Sequence, residues 1–234
     1  MNQVLAGRDI RMGIVVADIW SLPGEVVISA TRSFDTDLDR KLIARDSLQG
    51  QLTQRLYASH EHLALDIQRQ LQGRKGVTVT RSGKPVTEFP VGTVVRVEAR
   101  GRAAYLVALT RMNDHENVSA TIEDLRVALP SLWDFVAQRG NMTKLVVPVL
   151  GGGRARIPAK REVLIREIIR SVVAAAASTR FCEEITIVVS PHDFIHYAVN
   201  IEELGEFLRL TCAYAEYRTD LNGHGGTGLG GGAT

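Results

Sequence analysis

The chain has 234 residues, 45% apolar and 23% charged, with a formal net charge of +2. That is the composition of one globular domain with appendages, and it excludes collagen-like, coiled-coil and mostly disordered chains. The near balance of 28 basic and 26 acidic residues argues against a nucleic-acid grip, which takes a clustered cationic excess.

Residues 1–9 read as a leader ahead of the domain. Apolar runs rich in valine and isoleucine follow at 12–16, 25–31, 91–98, 103–110, 144–150 and 184–190. They lack clean alternation, which suits strands buried on both faces. Arg100-Gly-Arg102 between the third and fourth runs reads as a hairpin turn. Leu48, Leu52, Leu56, Leu63, Ile67 and Leu71 step by four or seven and predict one helix face. His60 shares that face and reads as a boundary residue rather than a ligand. Residues 73–90 read as a polar loop.

A second helix is expected over 122–139, kinked at Pro130 and stopped by Gly140. A third is expected over 161–178. A fourth starts at Asn200, with Glu203 three residues on. From 219 to 234 the chain has seven glycines and no periodicity, and reads as a disordered tail. This alternation predicts an α/β fold: a three-layer α/β/α sandwich over residues 10–218, with a central mixed six-stranded sheet.

Two cysteines, Cys182 and Cys212, are too few for a disulfide framework. With no signal peptide in view, a cytoplasmic location is expected. No apolar run approaches the ~20 residues of a membrane helix, so no membrane segment is expected in this chain.

Val147-Pro-Val-Leu-Gly-Gly-Gly-Arg-Ala-Arg-Ile-Pro158 carries the strongest chemical signal. A buried strand runs into three glycines, and a helix begins within ten residues. Glycines let backbone N–H groups turn toward an anion, and a helix start adds partial positive charge. Gly151, Gly152 and Gly153, with Arg154 or Arg156 adding charge, therefore form a candidate phosphate cradle at a strand's carboxyl end. The Gly-Lys-Ser/Thr of a Walker loop is absent. Arg45-Asp-Ser-Leu-Gln-Gly-Gln51 is a second, weaker candidate: a capped helix start with Gly50 leaving room near its first turn.

Other patterns read as structural. Asp35, Asp37, Asp39 and Asp46 imitate a calcium loop, but Arg40 stands where its glycine belongs. His192 and His196 have zinc-protease spacing without the glutamate or a third ligand. Gly226-Thr-Gly-Leu-Gly-Gly231 spells a dinucleotide fingerprint with no strand before it. No metal and no cofactor are expected.

Met12-Gly-Ile-Val-Val-Ala-Asp-Ile-Trp20 resembles the strand and Gly-Asp-Ile that open macro domains, with Ala17 for the glycine. Val26-Val-Ile-Ser-Ala-Thr-Arg32, Phe89-Pro-Val-Gly-Thr-Val-Val95 and Val147-Pro-Val-Leu-Gly-Gly-Gly153 resemble later strands and the second phosphate loop of that family, in its order. Ser29-Ala-Thr-Arg-Ser-Phe-Asp-Thr36 followed by Ser47-Leu-Gln-Gly-Gln51 is similar to the divergent macro domains of Thoeris antiphage effectors. There a Ser-Leu-x-Gly segment replaces the Gly-Gly-Gly-Val loop.

The resemblance implies a sensor for a nucleotide signal made from NAD by a TIR-domain partner. The ligand it implies is ADP-ribose or a derivative, such as a cyclic isomer or an amino-acid conjugate. It implies that Asp18 accepts from the adenine amino group, with Ile19 beside the base and Phe194 against it. Ser47, Leu48, Gln49 and Gly50 stand for the first phosphate loop, and Gly151, Gly152, Gly153 and Arg154 for the second. Arg32 replaces an asparagine near the distal ribose of hydrolytic members and is assigned to the ligand's distal end. With the lost Gly-Gly-Gly-Val loop, that favours binding over catalysis. ADP-ribosyl hydrolysis is the alternative, and self-association is left open.

Overall fold

The computed structural model describes residues 2–5, 9–40, 42–153, 155 and 157–223, with side chains to residue 215. Arg154, Arg156 and the fingerprint-like run of the tail lie outside the described residues.

All six expected runs form strands of one sheet. In chain order the strands are β1 Asn2–Leu5, β2 Ile10–Val16, β3 Glu25–Thr31, β4 Val77–Arg81, β5 Lys84–Glu88, β6 Val94–Ala99, β7 Arg102–Met112, β8 Val118–Ser119, β9 Lys144–Pro148 and β10 Glu184–Val189. The helices are α1 Leu48–Leu56, α2 His60–Leu71, α3 Ile122–Arg139, α4 Arg161–Ser178, α5 Pro191–His196 and α6 Ile201–Gly223. The main sheet runs β1-β2-β10-β9-β3-β7-β6, with β8 on β7. Pairing from β2 through β7 is parallel, while β1, β6 and β8 are antiparallel to their neighbours.

Alternate residues of the strands feed two cores. On β7, Tyr105, Val107 and Leu109 face one core, and Ala104, Leu106 and Ala108 face the other. The first core takes Leu129, Leu132 and Trp133 of α3, Ile165, Ile168 and Ile169 of α4, and Leu204 and Leu208 of α6. The second takes Leu52 of α1 and Leu63 and Ile67 of α2. Burial on both faces is why the strand sequences read as continuous apolar runs. The result is three layers, α/β/α.

The structure departs from the sequence reading in five places. Residues 2–5, read as a leader, pair antiparallel with β2 as an edge strand, and with β8 they widen the expected six-stranded sheet. The long first helix is two helices, broken at residues 57–59, where the Tyr57 hydroxyl donates to Asp66 at 3.0 Å. The expected loop at 73–90 contains the β4–β5 hairpin. Residues 191–196, where the sequence reading places no helix, form α5. The tail begins later than 219, because α6 runs to Gly223. Other expected signals act as read: Gly140 caps α3, and the Asn200 carboxamide oxygen accepts from the Glu203 N–H at 3.0 Å. Helix α3 continues through Pro130.

Ile168 is fully buried between α4 and the sheet. Its truncation leaves a cavity in the larger core, and Ile168→Ala is expected to cost about 2–5 kcal/mol, read as a lower urea midpoint with unchanged slope.

Candidate functional site

The five parallel strands deliver their carboxyl ends to one edge of the sheet, and a cleft of about 690 Å³ lies there. Ala17, Asp18 and Ile19 follow β2, Thr31 ends β3, Val149 to Gly153 follow β9, and Ser190 follows β10. Ser47, Leu48 and Gln49 at the start of α1 complete the wall. A register shift at Ala30/Thr31 brings Thr31 opposite Thr110, and both line the cleft. Bulges commonly re-aim side chains beside binding sites.

Asp18 caps a short 3-10 turn, Ile19–Ser21, by accepting from the Trp20 N–H at 3.0 Å. Its carboxylate is exposed and Ile19 is buried beneath it. The turn is held from below. Arg102 donates to the carbonyls of Trp20 at 3.1 Å and Leu22 at 2.8 Å. The Trp20 indole N–H donates to Gln51 Oε1 at 2.7 Å, tying the turn to α1. Asp18 is thereby a fixed acceptor at the cleft rim.

The Ser47 hydroxyl caps α1, accepting from the Gly50 N–H at 3.1 Å and donating to the Ala44 carbonyl at 2.6 Å. In a helix's first turn the backbone N–H groups have no intrahelical acceptor, so those of Leu48 and Gln49 are available where these residues line the cleft. Gly50 itself does not line it. A Cβ there would lie 2.2 Å from the Ala44 carbonyl oxygen, so the room that Gly50 leaves is filled by the chain's own backbone.

After β9, Gly151 has φ +82°, which favours glycine, and it packs against Ile157, whose Cδ1 lies 2.3 Å from where a Cβ would stand. The Gly152 N–H closes the turn onto the Val149 carbonyl at 3.0 Å. The N–H groups of Gly151 and Gly153 have no hydrogen-bond partner among the described residues. Gly153 faces open space. The cleft therefore holds two sets of backbone donors, at α1 and at the glycine loop.

A part-buried network braces the α1 side. Arg81 of the hairpin grips Asp35 through two contacts, Nη2 to Oδ1 at 2.6 Å and Nη1 to Oδ2 at 3.0 Å. The Thr31 and Ser33 hydroxyls also donate to Asp35, at 2.8 and 2.6 Å. The Gln49 side chain donates to the Asp35 carbonyl at 2.5 Å. Burial alone would raise the Asp35 pKa. Hydrogen bonds from Arg81, Ser33 and Thr31, with the Arg81 charge, outweigh it and hold the carboxyl below its ordinary value. So Asp35, one of the calcium-like aspartates, is committed to Arg81. Among the described residues no three His, Cys, Asp or Glu side chains cluster to hold a metal.

Besides Gly50, two residues assigned to the ligand stand outside the cleft lining. Arg32 donates from Nε to the Phe89 carbonyl at 2.9 Å and pairs with Glu88 at 3.8 Å, outside the cleft lining. Strand alternation and the pull of Glu88 turn it from the pocket. Phe194 is 42% exposed and does not line the cleft. Helix α5 turns it outward and leaves Tyr197, one turn on, at the rim. Arg161, Tyr197 and residues 42–44 line the cleft and were not singled out from the sequence. Only Arg161 carried a signal, as a cation in the first turn after the glycine loop. The two cysteines are unpaired and buried, and burial pushes Cys182 up to about 12 and Cys212 up to about 11, so neither is a ready thiolate.

The family model described as "Thoeris protein ThsA, Macro domain" matches residues 12–190. The curated Thoeris protein ThsA of Bacillus amyloliquefaciens (strain Y2) is 23% identical over 222 residues, covering 88% of this chain and 71% of its own length. Among solved structures, a mutant Oceanobacillus iheyensis macrodomain with ADPR superposes with a TM-score of 0.59 at 14% identity, covering 88% of this chain and 98% of that one. The macrodomain of the same organism with ADP gives 0.58 at 13% identity, covering 93% and 97%. At those identities the structural likeness speaks for the fold.

Removing the Asp35 charge strands Arg81, and Asp35→Asn is expected to cost about 3 kcal/mol. Because the folded pKa is depressed, this stabilisation is full above the ordinary carboxylate value of 3.8 and is lost as pH falls through the lower folded value. Urea unfolding between pH 6 and pH 2.5 should show the variant losing less stability with acidification than the parent.

Proposed function

The chain belongs to the family of Thoeris ThsA macro domains, and on that premise we propose that its cleft binds an ADP-ribose-type, NAD-derived nucleotide as a sensor in antiviral defence. The observation that carries this reading is the meeting of three unlike features in one cleft: the exposed Asp18 carboxylate, the start of α1 and the glycine loop. Adenine needs one acceptor and an apolar wall, which Asp18 and Ile19 supply. A diphosphate needs donors from two sides without side chains in the way, which Leu48, Gln49, Gly151 and Gly153 supply. The relatives support the ligand class, since a macrodomain of the same fold is described with ADPR and another with ADP.

The signal is read as a cyclic isomer of ADP-ribose or an amino-acid-linked ADP-ribose, made by a TIR-domain NAD-processing partner. We take the domain to bind without turnover. Arg32 is committed to Phe89 and Glu88, and the cysteine thiols are buried. Unpaired thiols are in keeping with a cytoplasmic site of action. No helix among the described residues is long and apolar enough to cross a membrane.

Calorimetric titration with ADP-ribose and its cyclic and amino-acid-linked derivatives tests the reading. Asp18→Ala, losing a hydrogen bond to a charged acceptor, should weaken binding about tenfold or more. Gly152→Glu should abolish it by placing a side chain against Arg161 and the Val149 carbonyl. Chromatography of the ligand after incubation should return it unchanged. Absence of binding to every compound, or full affinity in both variants, refutes the reading.

A further inference from the structure

The cleft contains a cation that the ligand reading so far leaves without a task. Arg161 opens α4 directly behind the glycine loop, with a side chain only 10% exposed. Its guanidinium lies over the Tyr197 ring at 4.0 Å. Its Cδ and Nε both lie 3.0 Å from where a Gly152 Cβ would stand. Glycine at 152 thus lets the arginine pack against the phosphate-cradle backbone. The ring fixes the plane of the guanidinium, and a stacked guanidinium still presents its edge to a ligand.

Its anionic partner fits it poorly. Asp193 Oδ1 of α5 stands 3.4 Å from Nε, outside good hydrogen-bond geometry, and that buried Nε has no hydrogen bond among the described residues. A buried N–H without an acceptor is rare and costly. The Asp193 carboxylate has a second neighbour, His192, whose Nδ1 lies 3.7 Å from the same Oδ1. The pair is an ion contact at the cleft wall that makes no hydrogen bond through Nε among the described residues.

We propose that Arg161 is an anion-binding residue of this cleft, restrained by Asp193 until a ligand phosphate takes the carboxylate's place. This rests on the nucleotide reading and adds to it a charged contact beside the backbone donors. A phosphate accepts two parallel N–H bonds from a guanidinium, which the single 3.4 Å approach of Asp193 does not.

The test is calorimetric titration of ADP-ribose and of adenosine into the parent chain, Arg161→Met, Arg161→Lys, Asp193→Asn and the Arg161→Met, Asp193→Asn double variant. Thermal melts of the unliganded proteins report whether each folds. Arg161→Met should weaken ADP-ribose at least tenfold and leave adenosine, which has no phosphate, unchanged. Arg161→Lys should recover part of the loss. Asp193→Asn should tighten ADP-ribose several-fold, and that gain should vanish in the double variant. Equal ADP-ribose affinity in Arg161→Met, or a matching loss for adenosine, overturns the proposal while leaving the nucleotide reading intact. An unchanged or weaker Asp193→Asn overturns the competition. A parent chain that binds neither compound overturns the nucleotide reading and this inference together.

Discussion

Burying both faces of a parallel sheet constrains everything else in this molecule. Strands β2, β10, β9, β3 and β7 are covered by α3, α4 and α6 on one side and α1 and α2 on the other. Neither face can then host a polar ligand. Backbone donors are free only where strands end and helices begin, and parallel pairing gathers those ends at one edge. The cleft is therefore where this topology leaves unspent hydrogen-bonding capacity, at strand ends, helix starts and the loops between them.

Such an edge is useful only if the loops hold still, and close packing does that here. Gly50 lets the Ala44–Arg45 backbone cross directly over the first turn of α1. Asp35, gripped by Arg81 and contacted by Gln49, locks the same segment to the end of β3 and to the β4–β5 hairpin. Arg102 pins the turn that carries Asp18. On the other wall Gly151 packs on Ile157 and Gly152 on Arg161. Donors fixed before a ligand arrives spare it the cost of ordering them.

Much of the fold was legible because buried strands and helix stripes write strong apolar patterns. The glycine run was legible because it follows such a strand. Hairpin β4–β5 is largely exposed and so writes no such pattern. The break at residues 57–59 was hidden because α1 and α2 turn apolar faces to the same core, which keeps the spacing in step. Of the residues assigned to the site, those read for their backbone, Ser47 to Gln49 and Gly151 to Gly153, line the cleft. Others do not line it: Gly50 is covered by the chain's own backbone, and elsewhere one side chain's direction decides. Arg32 turns to Glu88, and α5 turns Phe194 outward and brings Tyr197 to the rim. Arg161 acquires its place only through contacts with Gly152, Asp193 and Tyr197, residues near and far in sequence.

The central claim is that a nucleotide diphosphate sits between the start of α1 and the glycine loop. Amide hydrogen exchange, with and without saturating ADP-ribose, reads that claim at the donors themselves. The N–H groups of Leu48, Gln49, Gly151 and Gly153 should exchange more slowly in the bound state, while the exposed β4–β5 hairpin stays unchanged. Protection absent from both loops, or confined to residues outside the cleft, would contradict the account.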